Sequence, residues 1–298
     1  MAASTGTTPG PVHINAMFRK PLWRAGGDTP QPPAEATHHS QTETPVEPDL
    51  LDDCLHSLKG RNGAIVAGPD ANGTLSGNSL VQLGIRLGWP VLVDPVSTAR
   101  NIDHPVVVQH HDALLRSRAF NEQFQPETLV CVGGTPSSRP LQDLIARTET
   151  IRIDPTGRRW NPWKSVTQSY SFGIDELLVR IDETAGQPAA SEWVSAWARF
   201  NKIAAKAIEN TASDPLWEGA IAARLIAELP HGTLLRLASS MPIRDADSFG
   251  LRAHHSLRVS SNRGVNGIDG LIATTLGEAT AHDGPTVALV GDLSFLHD

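Results

Sequence analysis

The sequence predicts an α/β protein of parallel sheets flanked by helices. Three observations carry that expectation. From about residue 50 to the end, short apolar runs alternate with segments of helical period. The strand-like runs GAIVAG, ETLVCVGG and PTVALVGD each hold a continuous apolar stretch, the pattern of strands covered on both faces. Several of these runs end in glycine or in a polar cluster, as strands do where an open sheet meets a ligand.

Residues 1–23 contain PGPVHINAMFRKPL, where Val12 and Ile14 alternate around His13 as in a short strand. Residues 24–49 are rich in Pro, Thr, Gln and Ala and nearly empty of large apolar side chains. Such a stretch cannot offset its ordering entropy by burial and reads as a linker. A central α/β domain is expected over residues 50–185. GAIVAG is a strand, SLVQLGIRLG a helix stopped by Gly88, and PVLVDP a strand. PVVVQHHDALLRSRAF passes from an apolar run into a helical period. ETLVCVGG, RPLQDLIART, TIRIDP and GIDELLVRI then read strand, helix, strand, closing helix. A second unit is expected over residues 191–298. It opens with the helices SEWVSAWARFNKIAAKAIENT and WEGAIAARLIAELPHG, the latter stopped by Pro230 and Gly232. The strands TLLRLASS, LRVSSNRG and PTVALVGD follow, with the helix GIDGLIATTLGEATA before the last.

Composition narrows the classes. The chain has 298 residues, room for one large or two ordinary domains, and 40 % apolar residues to build their cores. A net charge of -7 argues against a general nucleic-acid binder, which needs a basic face. No apolar run reaches the roughly 18 residues of a membrane span, and MAASTGTTPG lacks the apolar core of a secretory signal. A cytoplasmic protein is expected. Cys54 and Cys131 are far apart in sequence and read as small buried thiols. The pairs His38/His39, His110/His111 and His254/His255 have no metal-ligand spacing and are expected to face solvent. In GAIVAGPDANGTLSGNS, residues Gly63, Gly68 and Gly73 lack a nucleotide fingerprint, so ordinary turns are expected. RRWNPW, Arg158 to Trp163, reads as a packing loop between domains, with an aromatic binding surface as the alternative.

The chemistry gathers at strand ends in the second unit. TLLRLASS ends in Ser239 and Ser240, with Arg244 just beyond; LRVSS leads to Asn262 and Arg263; TVALV leads to Gly291 and Asp292. If these strands are parallel, all three clusters open onto one crevice. Arginine's planar fork suits carboxylates. Asp292 is placed to hold a hard cation against a phosphate or, equally, to cap a turn. GVNGIDG puts three glycines before a helix whose free amides could receive an anion.

Taken together, SSMPIRD, SSNRGVNGIDG and GPTVALVGDLSFLHD resemble the cofactor domain of the thiamine-diphosphate enzymes that make 2-succinyl-5-enolpyruvyl-6-hydroxy-3-cyclohexene-1-carboxylate for menaquinone biosynthesis. PGPVHIN and FRKPL resemble the end of that family's pyrimidine-binding domain, and the middle zone is similar to its central, non-catalytic α/β domain. The resemblance implies a transferase in which thiamine diphosphate decarboxylates 2-oxoglutarate and the succinyl group adds to isochorismate. It implies Asp292 as a ligand of Mg²⁺ (or Mn²⁺), Gly291 and Ser294 beside the diphosphate, and Ile268 as the apolar wedge under the cofactor. Ser240, Arg244 and Arg263 match positions that bind substrate or intermediate carboxylates. Arg139 falls near a basic substrate-facing position, where the family often carries Lys-Arg and this chain carries Ser138-Arg139. The intact enzyme would be a homodimer or homotetramer. The family's second metal-ligand asparagine and its activating glutamate have no counterpart here, so no catalytic residue is assigned. Residues 191–298 then read as the first half of a diphosphate-binding domain, residues 1–23 as the tail of the pyrimidine domain, and the chain as an internal fragment inactive alone. An acetolactate-synthase-type enzyme is one alternative, disfavoured by two arginines at one crevice edge. A non-catalytic α/β binding module is the other, and it has no use for Asp292 and Ile268.

Overall fold

The structure, a computed structural model, describes residues 46–70, 75–158, 160–184, 192–213, 217–253, 257–264 and 267–298. The strand expected near Val12 and most of the expected linker lie outside them. Helix α1 (Pro48–Leu58) begins inside that linker, with proline in its first turn, where the missing N–H costs nothing.

Next come β1 (Gly63–Ala67), α2 (Gly77–Leu87), β2 (Val91–Val93), β3 (Val107–Val108), α3 (His111–Arg116) and α4 (Arg118–Gln123). They are followed by β4 (Thr128–Val132), α5 (Arg139–Arg147), β5 (Glu149–Ile153), β6 (Val166–Tyr170) and α6 (Ile174–Thr184). The six strands form one parallel sheet in the order β3-β2-β1-β4-β5-β6. The chain leaves β1 in one direction, then returns to β4 on its other side, so the strand order reverses between β1 and β4.

All five residues of β1 and of β4 are buried, because each strand carries apolar side chains on both faces. Ile65, Ala67, Val130 and Val132 join the core beneath α1, α2 and α6, with Leu55, Leu83 and Leu177. Their alternates Ala64, Val66, Leu129 and Cys131 join the opposite core with Leu114, Phe120, Leu144 and Trp197. Gly88 ends α2 in the left-handed conformation (φ 68°) that glycine adopts without a Cβ clash. Strand β6, VTQSY, was not expected: it is an edge strand with polar, partly exposed side chains and lacks an apolar run.

Helix α7 (Glu192–Thr211) packs against this first sheet. Trp197 meets Phe120 edge-on with centroids 4.8 Å apart, and Trp193 Nε1 donates to the Gly63 carbonyl at 2.9 Å. The remaining elements are α8 (Glu218–Glu228), β7 (Thr233–Leu237), α9 (Met241–Phe249), β8 (Leu257–Ser261), α10 (Leu271–Thr280), β9 (Thr286–Leu289) and α11 (Asp292–His297). Their parallel sheet runs β8-β7-β9. Central β7 is fully buried, while β8 and β9 are only partly buried, so the covering of both faces seen in the first sheet is not repeated. Leu235 and Leu237 share a core with Ile226, Ile243 and Ala246.

His110 and His111 are buried, not solvent-facing as expected. The turn into α3 places His111 under β2, where its Nε2 lies 3.1 Å from the Val93 carbonyl. Burial, reinforced by nearby Arg100, pushes the imidazoles down to about 3 and about 4. The other two histidine pairs lie outside the described residues. Cys54 and Cys131 are buried free thiols, as expected, and burial pushes both up to about 12. Among the described residues no helix is long and apolar enough to cross a membrane.

Candidate functional site

Because β7, β8 and β9 are parallel and adjacent, their carboxyl ends lie on one side. Arg263, just past β8, donates from Nη1 to the Ser239 carbonyl past β7 at 2.9 Å. That bond ties two of the three strand ends together. Arg263 is half-buried. Burial holds its guanidinium below the usual arginine range, the positive field of Arg244 adds to this, and Asp94 offsets part of it. Two arginines in each other's field at a half-dry edge favour an anion between or beside them. Ser240 precedes α9 as its N-cap residue without making a side-chain cap bond, and both Ser240 and Arg244 are exposed.

The third strand end is arranged differently. Gly291 is the N-cap of α11, so Asp292 stands inside the first turn and is not a capping residue. Its carboxylate is exposed and accepts from the Leu293 N–H at 2.8 Å, while Ser294 is buried. Ile268 is partly buried in the turn before α10. At that helix's N-terminus the Asp298 carboxylate accepts from the N–H groups of Gly270 at 2.8 Å and Ala273 at 3.1 Å, and also from Ile272. The amides of that helix N-terminus, expected to be free for an anion, are occupied by the chain's own Asp298 carboxylate. These bonds hold the Asp298 carboxyl below its ordinary range. Arg139 is not brought into this group. It opens α5 and pairs with Asp143 one turn along, at 2.9 Å, on an exposed face.

No group of three His, Cys, Asp or Glu side chains able to hold a metal occurs among the described residues. Asp292 supplies one carboxylate. That fits a Mg²⁺ whose remaining ligands are phosphate oxygens and other donors, and it does not make a self-sufficient metal site.

Two cavities open beside the site. One, of about 510 Å³, lies at the carboxyl ends of β1, β4 and β5, where the strand order reverses. Asp70, Gly133, Gly134, Arg152, Trp160 and Arg263 are on its wall. Gly68 sits so close to the Gly134 carbonyl that a Cβ would lie 2.0 Å from it, which explains the glycine. Gly63, where a turn was expected, opens strand β1 instead, Pro69 and Asp70 just past that strand line the cavity, and Gly73 lies outside the described residues. RRWNPW divides: Trp163 packs toward the Trp193 cluster, while Trp160 is half-exposed on the cavity wall with its Nε1 bonded to Thr135 Oγ1 at 3.1 Å. The other cavity, of about 1040 Å³, lies between the Pro95–Asp103 loop and β8. Sequence reasoning missed Arg152, which donates to the Gly133 carbonyl at 2.9 Å and to Asp154 at 2.8 Å. An arginine inside the apolar strand TIRIDP was the available signal.

The family model described as "Middle domain of thiamine pyrophosphate" matches residues 34–237. The chain belongs to the thiamine pyrophosphate enzymes that carry this middle domain, the compound also called thiamine diphosphate. Among its curated relatives is the 2-succinyl-5-enolpyruvyl-6-hydroxy-3-cyclohexene-1-carboxylate synthase of Haloarcula marismortui, 34 % identical across 100 % of this chain and 55 % of its own length. The synthases of the same name from Listeria monocytogenes serovar 1/2a and Bacillus cytotoxicus are 32 % and 31 % identical, over 98 % and 100 % of this chain and 52 % and 53 % of theirs. The chain spans about half the length of the curated relatives it matches.

Proposed function

We propose that this chain forms part of a thiamine-diphosphate-dependent synthase that joins a succinyl group from 2-oxoglutarate to isochorismate. The observation that carries the reading is the gathering of Ser240, Arg244 and Arg263 at the carboxyl ends of β7 and β8, with Arg263 fixed to the Ser239 carbonyl. Both substrates are dicarboxylates. Planar guanidinium groups bind carboxylates through paired, charge-assisted hydrogen bonds, and a half-dry edge strengthens them. When bound, thiamine diphosphate supplies the electron sink that stabilises the carbanion left by decarboxylation. In this reading Asp292 holds Mg²⁺ against the diphosphate, Gly291 and Ser294 border that group, and Ile268 offers it an apolar face. Ser240 donates a hydrogen bond to a substrate carboxylate. The names of the relatives support the reading. A cytoplasmic homo-oligomer completes it, and sedimentation of the intact enzyme would test the assembly.

The direct test uses the full-length enzyme. Arg244→Ala or Arg263→Ala removes a charge-assisted bond worth about 1.5–3 kcal/mol, or about 10–150-fold in kcat/KM for a dicarboxylate substrate. Thiamine diphosphate affinity should stay unchanged. An exposed arginine in a surface pair would shift kcat/KM by only a few fold, roughly 0–1 kcal/mol. Unchanged kcat/KM for both substrates in both variants would sink the assignment.

A further inference from the structure

Helix α9, which carries Ser240 at its head and Arg244 in its first turn, is gripped at its other end by the first sheet's unit. Arg100, in the turn after β2, is buried. Its Nη1 donates to the Val93 carbonyl at 2.9 Å, and its Nη2 donates to the Ala246 carbonyl at 2.8 Å and the Asp247 carbonyl at 3.3 Å. Past Ala246, which also accepts from the Gly250 N–H at 3.1 Å, the last carbonyls of α9 have no intrahelical donor, and a cation at this end is favoured by the helix dipole. One guanidinium thus joins the end of β2 to the last turn of α9. Two further bonds reinforce it. Ser248 Oγ donates to Asp112 at 2.9 Å, and Asn101 Oδ1 accepts from the Ala253 N–H at 3.4 Å. Asp103 pairs with Arg252 in the same stretch. At the head of α9 the fixed point is the Ile243 N–H on the Ala238 carbonyl, at 3.2 Å.

We propose that Arg100 is a positioning residue: from the first sheet's unit it holds α9 by its last turn and so sets where Ser240 and Arg244 stand at the strand ends. The proposal rests on the reading of those two residues as substrate-binding. It gives the first sheet's unit a defined part in placing the strand-end residues of the second sheet. A lysine at this place would keep the charge and lose the span, since one ammonium lacks the fork that reaches both partners.

Two measurements test it. In the 298-residue chain, Arg100→Ala should raise amide hydrogen exchange through α9 as far as Arg244 by about tenfold or more, with the β1 and β4 amides little changed. Arg100→Lys should fall between. In the full-length synthase, Arg100→Ala should raise KM for a dicarboxylate substrate, leave cofactor affinity unchanged, and recover most of kcat at saturating substrate. Faster exchange spread evenly over both sheets, with KM unaltered, would show a stabilising residue only and overturn the proposal. If Arg100→Ala does not fold, Arg100→Lys and Ser248→Ala carry the same readouts. Should Arg244→Ala leave KM untouched while Arg100 variants still loosen α9, the substrate reading fails and the grip stands. Should Arg244→Ala raise KM while Arg100 variants change neither α9 nor KM, the grip fails alone.

Discussion

Asp247 is buried in the same cluster, and its Oδ1 accepts no hydrogen bond within the protein. Arg100 Nη1 stands 3.6 Å from that oxygen and His111 Nε2 3.7 Å. Burial raises its pKa well above the ordinary aspartate value; Arg100 and Arg116 oppose the rise, and Asp94 and Asp112 add to it. A raised acid pKa contributes stability that is full below the unfolded value of about 3.9 and is lost as pH climbs through the folded value. Asp247→Asn keeps the shape of the neutral acid and removes that titration. It should match the native chain near about pH 4 and exceed it increasingly toward about pH 8 in urea midpoints. Lower stability than the native chain at the higher pH would mean that the ionised pair with Arg100 outweighs burial. Asp112 runs the other way. Burial would raise it, but bonds from Arg116, Ser138 and Ser248 win and hold it low, so its contribution is lost as pH falls through the folded value. At the proposed cofactor site, Asp292→Ala in the full-length enzyme should abolish Mg²⁺-dependent binding of thiamine diphosphate. Unchanged affinity by titration calorimetry would refute the metal role. Arg244, Arg263 and Asp292 could be picked from sequence because strand ends are marked by where apolar runs stop. Arg100, His111 and Asp112 could not, because what buries them comes from distant parts of the chain.

Elements with a strong local signature were legible, and those held by tertiary partners were not. Helix α5 shows the first kind: Ser138 precedes it and its Oγ accepts from the Leu141 N–H at 3.2 Å. The same hydroxyl donates to Asp112 at 2.8 Å. Ser138→Ala therefore removes a cap and leaves a buried carboxylate short of a donor. The expected cost is about 1–3 kcal/mol, well above a surface Ser→Ala, read as a shift of the unfolding midpoint. A change below about 0.5 kcal/mol would show that water replaces the lost hydroxyl. Helix α9 is the second kind. MPIRDADSF buries Asp245 and Asp247 beside Ile243 and Ala246, so its inward face is not an apolar stripe. Strand β6 likewise pairs with β5 through backbone bonds that its polar side chains do not announce.

At the scale of the whole molecule, α7 decides what the first unit is. The expected boundary near residue 191 assigns this helix to the second unit, whereas Trp197 is buried in the core of the first sheet against Phe120. A segment covering residues 46–213 should therefore unfold cooperatively and be more stable than residues 50–185 by about 3–5 kcal/mol, the scale of losing one large buried aromatic. Equal urea midpoints for the two segments would contradict that. Local sequence was enough for the α/β class, the parallel alternation of elements, most helix and strand positions, and the residues standing at the ends of β7, β8 and β9. These follow from local periodicity and from glycine and proline punctuation, which act within a few residues. That α7 covers the first sheet, that His110 and His111 are buried, and that the Arg100 guanidinium joins the two units emerged from long-range packing alone. Burial and pairing at those places depend on groups brought together from distant positions, and no short stretch of chain carries that information.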